Sequence, residues 1–252
     1  MAKQKGIIKL DGTIGGITFY KSTLDGYLAR EKGVVSADKI ANDPAFQRTR
    51  ENGEEFGRAG KAGKLLRNAI RAMLQNASDS RMVGRLTQKM VEVIQEDLTN
   101  PRGQRNVIDG EAELLEGFEF NISGKLGTTL YAPFTGTIDR VAGTLTANIP
   151  AFVPINMLAA PGGSTHFKIV SAGAEVDFEN ETFVMDAQAT AVLPWDSAAT
   201  AVITLVNTVT ANSTHPLFLA LGIEFYQEVN GQMYPLKNGA FNPLSLVKVS
   251  GL

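Results

Sequence analysis

Residues 217–236 read LFLALGIEFYQEVNGQMYPL, and the reading of this stretch decides the fold. Asn230 and Gly231 stand between two β-prone runs, 224–229 and 232–236. Both central positions of a tight type I′ hairpin need positive φ, which Asn and Gly tolerate, so the stretch predicts a hairpin. Outward from it, the segments 118–122, 128–134, 143–150, 165–178, 182–194, 199–209 and 244–249 repeat the same period-two pattern between turn residues. Asn238-Gly239 marks a further turn. Eight or nine antiparallel strands with no helical period among them predict a β-sandwich of immunoglobulin-like or jelly-roll kind over 117–252. Trp195 falls at a strand end, and the chain has no cysteine, so the disulfide of antibody domains is absent.

Upstream the pattern changes. Residues 44–74 follow Asn42-Asp43-Pro44, a capping carboxylate before a proline suited to a first helical position. Phe56, Ala59, Gly63, Leu66, Ile70, Met73 and Leu74 then form an apolar stripe, and residues 76–80 supply a stop and the next cap. Met82, Val83, Leu86, Met90, Val93 and Ile94 mark a second helix ending near Asn100-Pro101. Together these predict a helical hairpin.

Residues 6–33, GIIKLDGTIGGITFYKSTLDGYLAREKG, hold three β-prone pieces at 7–10, 17–22 and 27–30, separated by Asp-Gly and Gly-Gly pairs. Ile7, Leu10, Ile17, Phe19, Tyr27 and Leu28 make only a thin apolar face, and small isolated sheets are marginal in water. The meander therefore needs a surface to lie on, in its own chain or in a neighbouring subunit. The expected fold is α+β with three parts: an N-terminal β arm (1–35), a helical hairpin and linker (36–116) and an antiparallel β-sandwich (117–252).

The 252 residues carry 24 basic and 26 acidic side chains, so net charge alone marks no polyanion binder. The charge is uneven: residues 1–116 hold 19 basic against 16 acidic and 117–252 hold 5 against 10. Within 44–90 the ratio is ten to four. On the first helix Gly53, Gly57, Gly60, Lys64, Arg67 and Arg71 recur at steps of three and four, on one face. Interior glycines cost about 1 kcal/mol each relative to alanine, so the glycine run implies close approach of another backbone. Lys61, Lys64, Arg67 and Arg71 are candidate anion contacts, and with Arg50 they would form a nucleic-acid-binding face. A protein partner is favoured, because no aromatic side chain is interleaved to stack on bases.

Without cysteine there is no thiolate chemistry, and the two histidines, His166 and His215, lie outside any metal-ligand spacing. No G-x-S-x-G elbow occurs, and the glycine-lysine segment 57–65 departs from the phosphate-loop spacing and follows a helical pattern. Glu175, Asp177, Glu179 and Glu181 alternate with apolar neighbours as solvent-facing strand positions do. No catalytic residue, cofactor site or metal site is predicted. The N-terminus lacks the apolar core of a secretory signal and no run is long enough to span a membrane, which predicts a cytoplasmic protein without a membrane partner.

The segments 5–33, 46–70 and 222–249 resemble a family of uncharacterised bacterial proteins, mainly from Bacteroidota, over nearly the full chain. That resemblance implies a bacterial single-gene unit and brings no catalytic or binding residues. The function expected from the residues is structural: a non-enzymatic, phage-like protein that builds a homo-oligomer, a tube, filament or shell. The expected interface is Ile7, Ile17, Phe19 and Tyr27 of the arm with Gly53, Gly57 and Gly60 of the helix. The other classes are a nucleic-acid-associated protein and a surface- or carbohydrate-binding sandwich.

Overall fold

A computed structural model describes residues 2–33, 35–77 and 79–251, apart from the side chains of residues 237 and 238. The chain forms two compact units, 1–51 and 52–252.

The first unit holds strands β1 (Ala2–Lys3), β2 (Gly12–Ile14), β3 (Ile17–Ser22) and β4 (Gly26–Glu31) in one antiparallel sheet of order β1-β4-β3-β2. Ile14 pairs with Ile17 across the Gly15-Gly16 turn, where Gly15 takes φ 58°, and Gly26 takes φ 76° at the next turn. Residues 7–10, expected as a strand, are instead a loop. Gln4 captures it: its side chain donates to the carbonyls of Leu28 (2.9 Å) and Leu10 (3.2 Å) and accepts from Leu10 N–H (2.8 Å). Helix α1 (Ala37–Asn42) follows, capped by Ser36 Oγ on Lys39 N–H. Asp43 then caps the turn Pro44–Phe46 by accepting from Ala45 N–H at 2.9 Å, the role its place before proline predicts.

The expected long helix runs as α2 (Gln47–Ala69) and α3 (Arg71–Leu74), broken at buried Ile70, whose φ and ψ are −103° and 22°. Its partner α4 (Met82–Gln95) stops short of the Asn100-Pro101 signal. The cause is Asp97: its fully buried carboxylate accepts from the backbone of Thr99, Asn100 and Asn106 and from the Asn100 amide, turning the chain out of the helix. Gly63 of α2 sits against Leu86 and Met90 of α4, with a would-be Cβ 3.5 Å from Leu86 Cγ.

Two short helices, α5 (Leu126–Thr129) and α6 (Pro154–Met157), flank the first strands of the sandwich, β5 (Thr135–Asp139) and β6 (Thr144–Ile149). The remaining strands are β7 (His166–Asp177), β8 (Thr182–Ala189), β9 (Leu193–Pro194), β10 (Ile203–Thr208), β11 (Leu217–Val229), β12 (Gln232–Pro235) and β13 (Leu244–Ser250). Strands β7 and β11 pair along ten residues and form the spine of a six-stranded sheet, with β8 and β9 on the outer edge of β7 and β13 and β12 on that of β11. A three-stranded sheet of order β10-β6-β5 covers one face.

Segments 118–122 and 128–134, expected as strands, contribute only the isolated bridges Glu119–Ser245 and Leu130–Leu158, whereas β5 lacks a strong alternating signal and is a true strand. The Asn230-Gly231 turn has φ of 52° and 75°, as the hairpin requires. Asn238-Gly239 ends a one-turn 3₁₀ helix, Leu236–Gly239.

The spine is buried on both faces. Phe167, Ile169, Leu219, Leu221, Ile223 and Phe225 pack with Leu145, Ile149 and Leu205 of the small sheet. Ala172, Ala174, Val176, Phe218 and Ala220 pack with Leu66, Ile70, Leu86, Met90 and Ile94 of the helices. The fold is α+β: a helical layer, a six-stranded sheet and a second antiparallel sheet completing the sandwich. Helices and sandwich thus share a core across the expected 116/117 boundary, while the division into compact units falls within α2.

Candidate assembly surface and basic helix face

In the N-terminal sheet, strand register places Ile14, Ile17, Phe19, Ala29 and Tyr27 on one face, because cross-strand partners share a face. Ile14 and Ile17 are exposed and Phe19 and Tyr27 half-buried. Of the expected interface residues, Ile17, Phe19 and Tyr27 therefore lie together. Ile7 lies apart, on the captured loop, where it and Ile8 are 102% and 80% exposed. Among the described residues of 1–51, Leu28, on the opposite face, is the only buried side chain. Lys9 and Lys21 rest their ammonium groups 5.7 and 5.6 Å from the Tyr27 ring centre.

On α2 the glycine run is open. Among the described residues nothing beyond the helix itself would lie within 4 Å of a Cβ at Gly53, Gly57 or Gly60, so none of them makes the close backbone approach expected there. One face over, Gly63 packs at ordinary van der Waals distance against the side chains of Leu86 and Met90. Phe56, expected on the buried stripe, is 61% exposed and stands three and four residues from Gly53 and Gly60 and next to Gly57 in sequence. On α4, Val83 likewise leaves the expected buried stripe and is exposed.

The cations divide into two groups. Arg50 donates to the carbonyls of Ile40 and Asp43, and Arg58 donates to those of Gly103 and Arg105 at 2.6 and 3.1 Å; both are structural clamps. Arg67 donates back to Gly63 O at 3.2 Å. Lys61, Lys64 and Arg71 are exposed and form no ion pair among the described residues. Lys61 and Arg58 border a cleft of about 210 Å³ whose floor is Leu65, Val107, Ile108 and Phe178.

Glu175 and Asp177, expected to face solvent, are buried. Glu175 accepts from the Ser213 hydroxyl (2.7 Å) and Thr210 N–H (3.1 Å), and Asp177 accepts from Asn180 and Glu179 and lies 3.7 Å from His215 Nε2. Because β7 is covered on both sides, alternation along it does not separate inside from outside. The Ser213 hydroxyl points to Glu175 and accepts from His215 N–H, so these residues hold the 209–216 loop instead of forming a nucleophile–base pair. Among the described residues no three His, Asp or Glu side chains approach closely enough to hold a metal ion, and no helix is long and apolar enough to cross a membrane.

Two polar centres escaped the sequence reading. Arg140 donates to the carbonyls of Ser213 and His215, to Ser250 and to Gly251, tying β13 to the loop before β11. Glu224, nine-tenths buried, holds Lys168, Tyr226 and Asn76. Burial pushes its carboxyl upward, but hydrogen bonds from those three outweigh burial and keep its pKa below the ordinary 4.5. A charged residue inside an apolar strand was the available signal for this centre. No family model, curated protein or solved structure matches the chain.

Proposed function

We propose that this chain is a structural protein that assembles with copies of itself, in a tube, filament or shell of phage-like kind, with the N-terminal sheet of one subunit lying on the next. The observation that carries this reading is the sheet itself: four strands with one buried side chain and an apolar face of Ile14, Ile17, Phe19 and Tyr27. A sheet this thin gains too little from burial to hold its order alone and calls for a second layer. Charge favours a second copy as that layer. Residues 1–51 hold nine basic against six acidic side chains, and 117–252 hold five against ten. The open face of Gly53, Phe56, Gly57 and Gly60 offers a second contact, with a bulky knob beside small residues.

The test is the particle mass of the full chain, by light scattering with electron micrographs, beside an Ile14→Lys/Ile17→Lys variant and a chain lacking residues 1–33. The full chain should form large particles at micromolar concentration. Both altered chains should fall to small species with unchanged melting of the sandwich. A monomeric full-length protein, or altered chains that still assemble, would overturn the reading.

A second reading rests on Lys61, Lys64 and Arg71, which form no ion pair among the described residues: the same helix face would hold nucleic-acid phosphates. DNA and RNA titration at low salt decides it. Submicromolar binding lost in Lys64→Glu/Arg71→Glu, with particle mass unchanged, would favour this reading over protein contact.

A further inference from the structure

We propose that Asn76, Lys168 and Glu224 form a self-modifying site, at which the Lys168 amine condenses with the Asn76 carboxamide and leaves an isopeptide cross-link between β7 and the turn after α3. Lys168 and Glu224 are register partners on adjacent strands, which fixes their side chains on the same face of the sheet. Lys168 Nζ lies 2.6 Å from Glu224 Oε2, and Asn76 Nδ2 donates to Glu224 Oε1 at 2.9 Å. A single carboxylate therefore touches both the nucleophile and the leaving nitrogen, where a shuttle of protons between them must stand. Tyr226 donates to Glu224 Oε2 at 2.6 Å, and its ring centre is 5.6 Å from Nζ, so the amine is walled on one side. Asn76 is fixed through its backbone, whose carbonyl accepts from Asn242 Nδ2 at 3.0 Å and packs against Gly239. A void of about 20 Å³ among Asn76, Glu224, Tyr226, Gly239 and Asn242 has room for one molecule the size of ammonia.

The step balances without a co-reactant. Glu224 takes a proton from the Lys168 ammonium, and Asn76 turns its Cγ toward the freed amine. The Nζ lone pair forms the new C–N bond, Glu224 returns the proton to Nδ2, and the Cγ–Nδ2 bond breaks. Ammonia leaves with the second proton shed by Nζ, so the ammonium and the amide give a secondary amide and an ammonium ion. Burial lowers the affinity of Lys168 for its proton, but its contacts with Glu224 and Tyr226 outweigh this and raise it, while Glu224 is held ionised. The resting state is thus the ion pair. The reactive neutral pair arises by proton transfer inside that contact, so the reaction is slow and its rate is flat across neutral pH.

The test is the intact mass of the folded full chain after prolonged incubation. The expected product is about 17 Da lighter than the sequence mass, the loss of one ammonia, with a proteolytic fragment joining the peptides that contain Asn76 and Lys168. Lys168→Arg keeps a cation opposite Glu224 but has no nucleophilic amine, and it should retain full mass, as should Glu224→Gln. Full mass in the unaltered protein overturns the proposal. So does an equal loss that persists in Lys168→Arg, which would mark ring closure at an asparagine. If the variants do not fold, the fragment map of the unaltered chain decides alone.

Discussion

A Cβ on Gly173 would lie 2.7 Å from the Cβ of Asn207, on the strand that faces it across the sandwich. Asn207 is fully buried and joins the two sheets: its Oδ1 accepts from Ser171 Oγ at 2.7 Å, and its Nδ2 donates to Asp186 O at 3.0 Å. The hydrogen bonds hold the strands at a spacing that only glycine at 173 permits. Gly173→Ala should cost about 1–3 kcal/mol through overpacking, read as a lower denaturant midpoint with an unchanged slope.

The opposite sign is expected at Gly57, where an added Cβ meets nothing among the described residues. Gly57→Ala should stabilise folding by roughly 0.5–1 kcal/mol through helix propensity. Gly57→Leu tests the surface itself: the fold should stay intact while particle mass falls. A leucine variant that assembles like the unaltered chain would show that this helix face is merely solvated.

The sandwich was readable where one face of a strand meets solvent, as in β10, whose residues alternate between buried and exposed. In β7 and β11 the same alternation misleads, because helices and the small sheet cover both faces, and Glu175 and Asp177 turn inward to fasten loops. The helix stripes were readable except at Phe56 and Val83, since sequence spacing gives the angle around α2 or α4 but not where the opposing layer ends. Three of the four arm residues proposed for assembly share a sheet face. Ile7 does not, because Gln4 bonds to Leu10 across a six-residue span that carries no periodic signal.

Asp97 sets how the fold responds to acid. Burial pushes its carboxyl upward, but hydrogen bonds from Asn100, Asn106 and Thr99 prevail and hold its pKa below the ordinary 3.8. Asp79 and Glu175 are lowered in the same way, burial again being outweighed by hydrogen bonds. A carboxyl lowered on folding contributes stability that is present above its unfolded pKa and lost as pH falls through the folded one. The denaturant midpoint should therefore drop as pH falls below about 5, and go on falling until these carboxyls are protonated in the folded protein. Asp97→Asn should cost about 1–3 kcal/mol at neutral pH and show a shallower drop on acidification. Glu119 works against this trend: burial raises its pKa despite bonds from Leu126 and Gly127, so its contribution is present below its unfolded pKa and lost as pH rises through the folded value.

Arg58 and Lys64 separate a cation that holds the fold from one that faces outward, although they stand six residues apart on one helix. Arg58 reaches the carbonyls of Gly103 and Arg105, and neighbouring Glu55 accepts from Gly103 N–H at 2.8 Å, so the two side chains grip the 103–105 turn from α2. A lysine at 58 keeps the charge but loses the planar guanidinium whose Nη1 is fixed between the two carbonyls, and its shorter, flexible stem does not hold an ammonium there. Arg58→Lys should therefore destabilise folding by roughly 1–2 kcal/mol. Lys64→Ala removes a charge outright yet should stay within about 0.5 kcal/mol of the unaltered protein, because its exposed ammonium forms no ion pair among the described residues. Equilibrium unfolding of the two variants checks both values. The inverse result, a costly Lys64→Ala and a neutral Arg58→Lys, would mean that charge on this face, and not the geometry of the guanidinium, supports the helix.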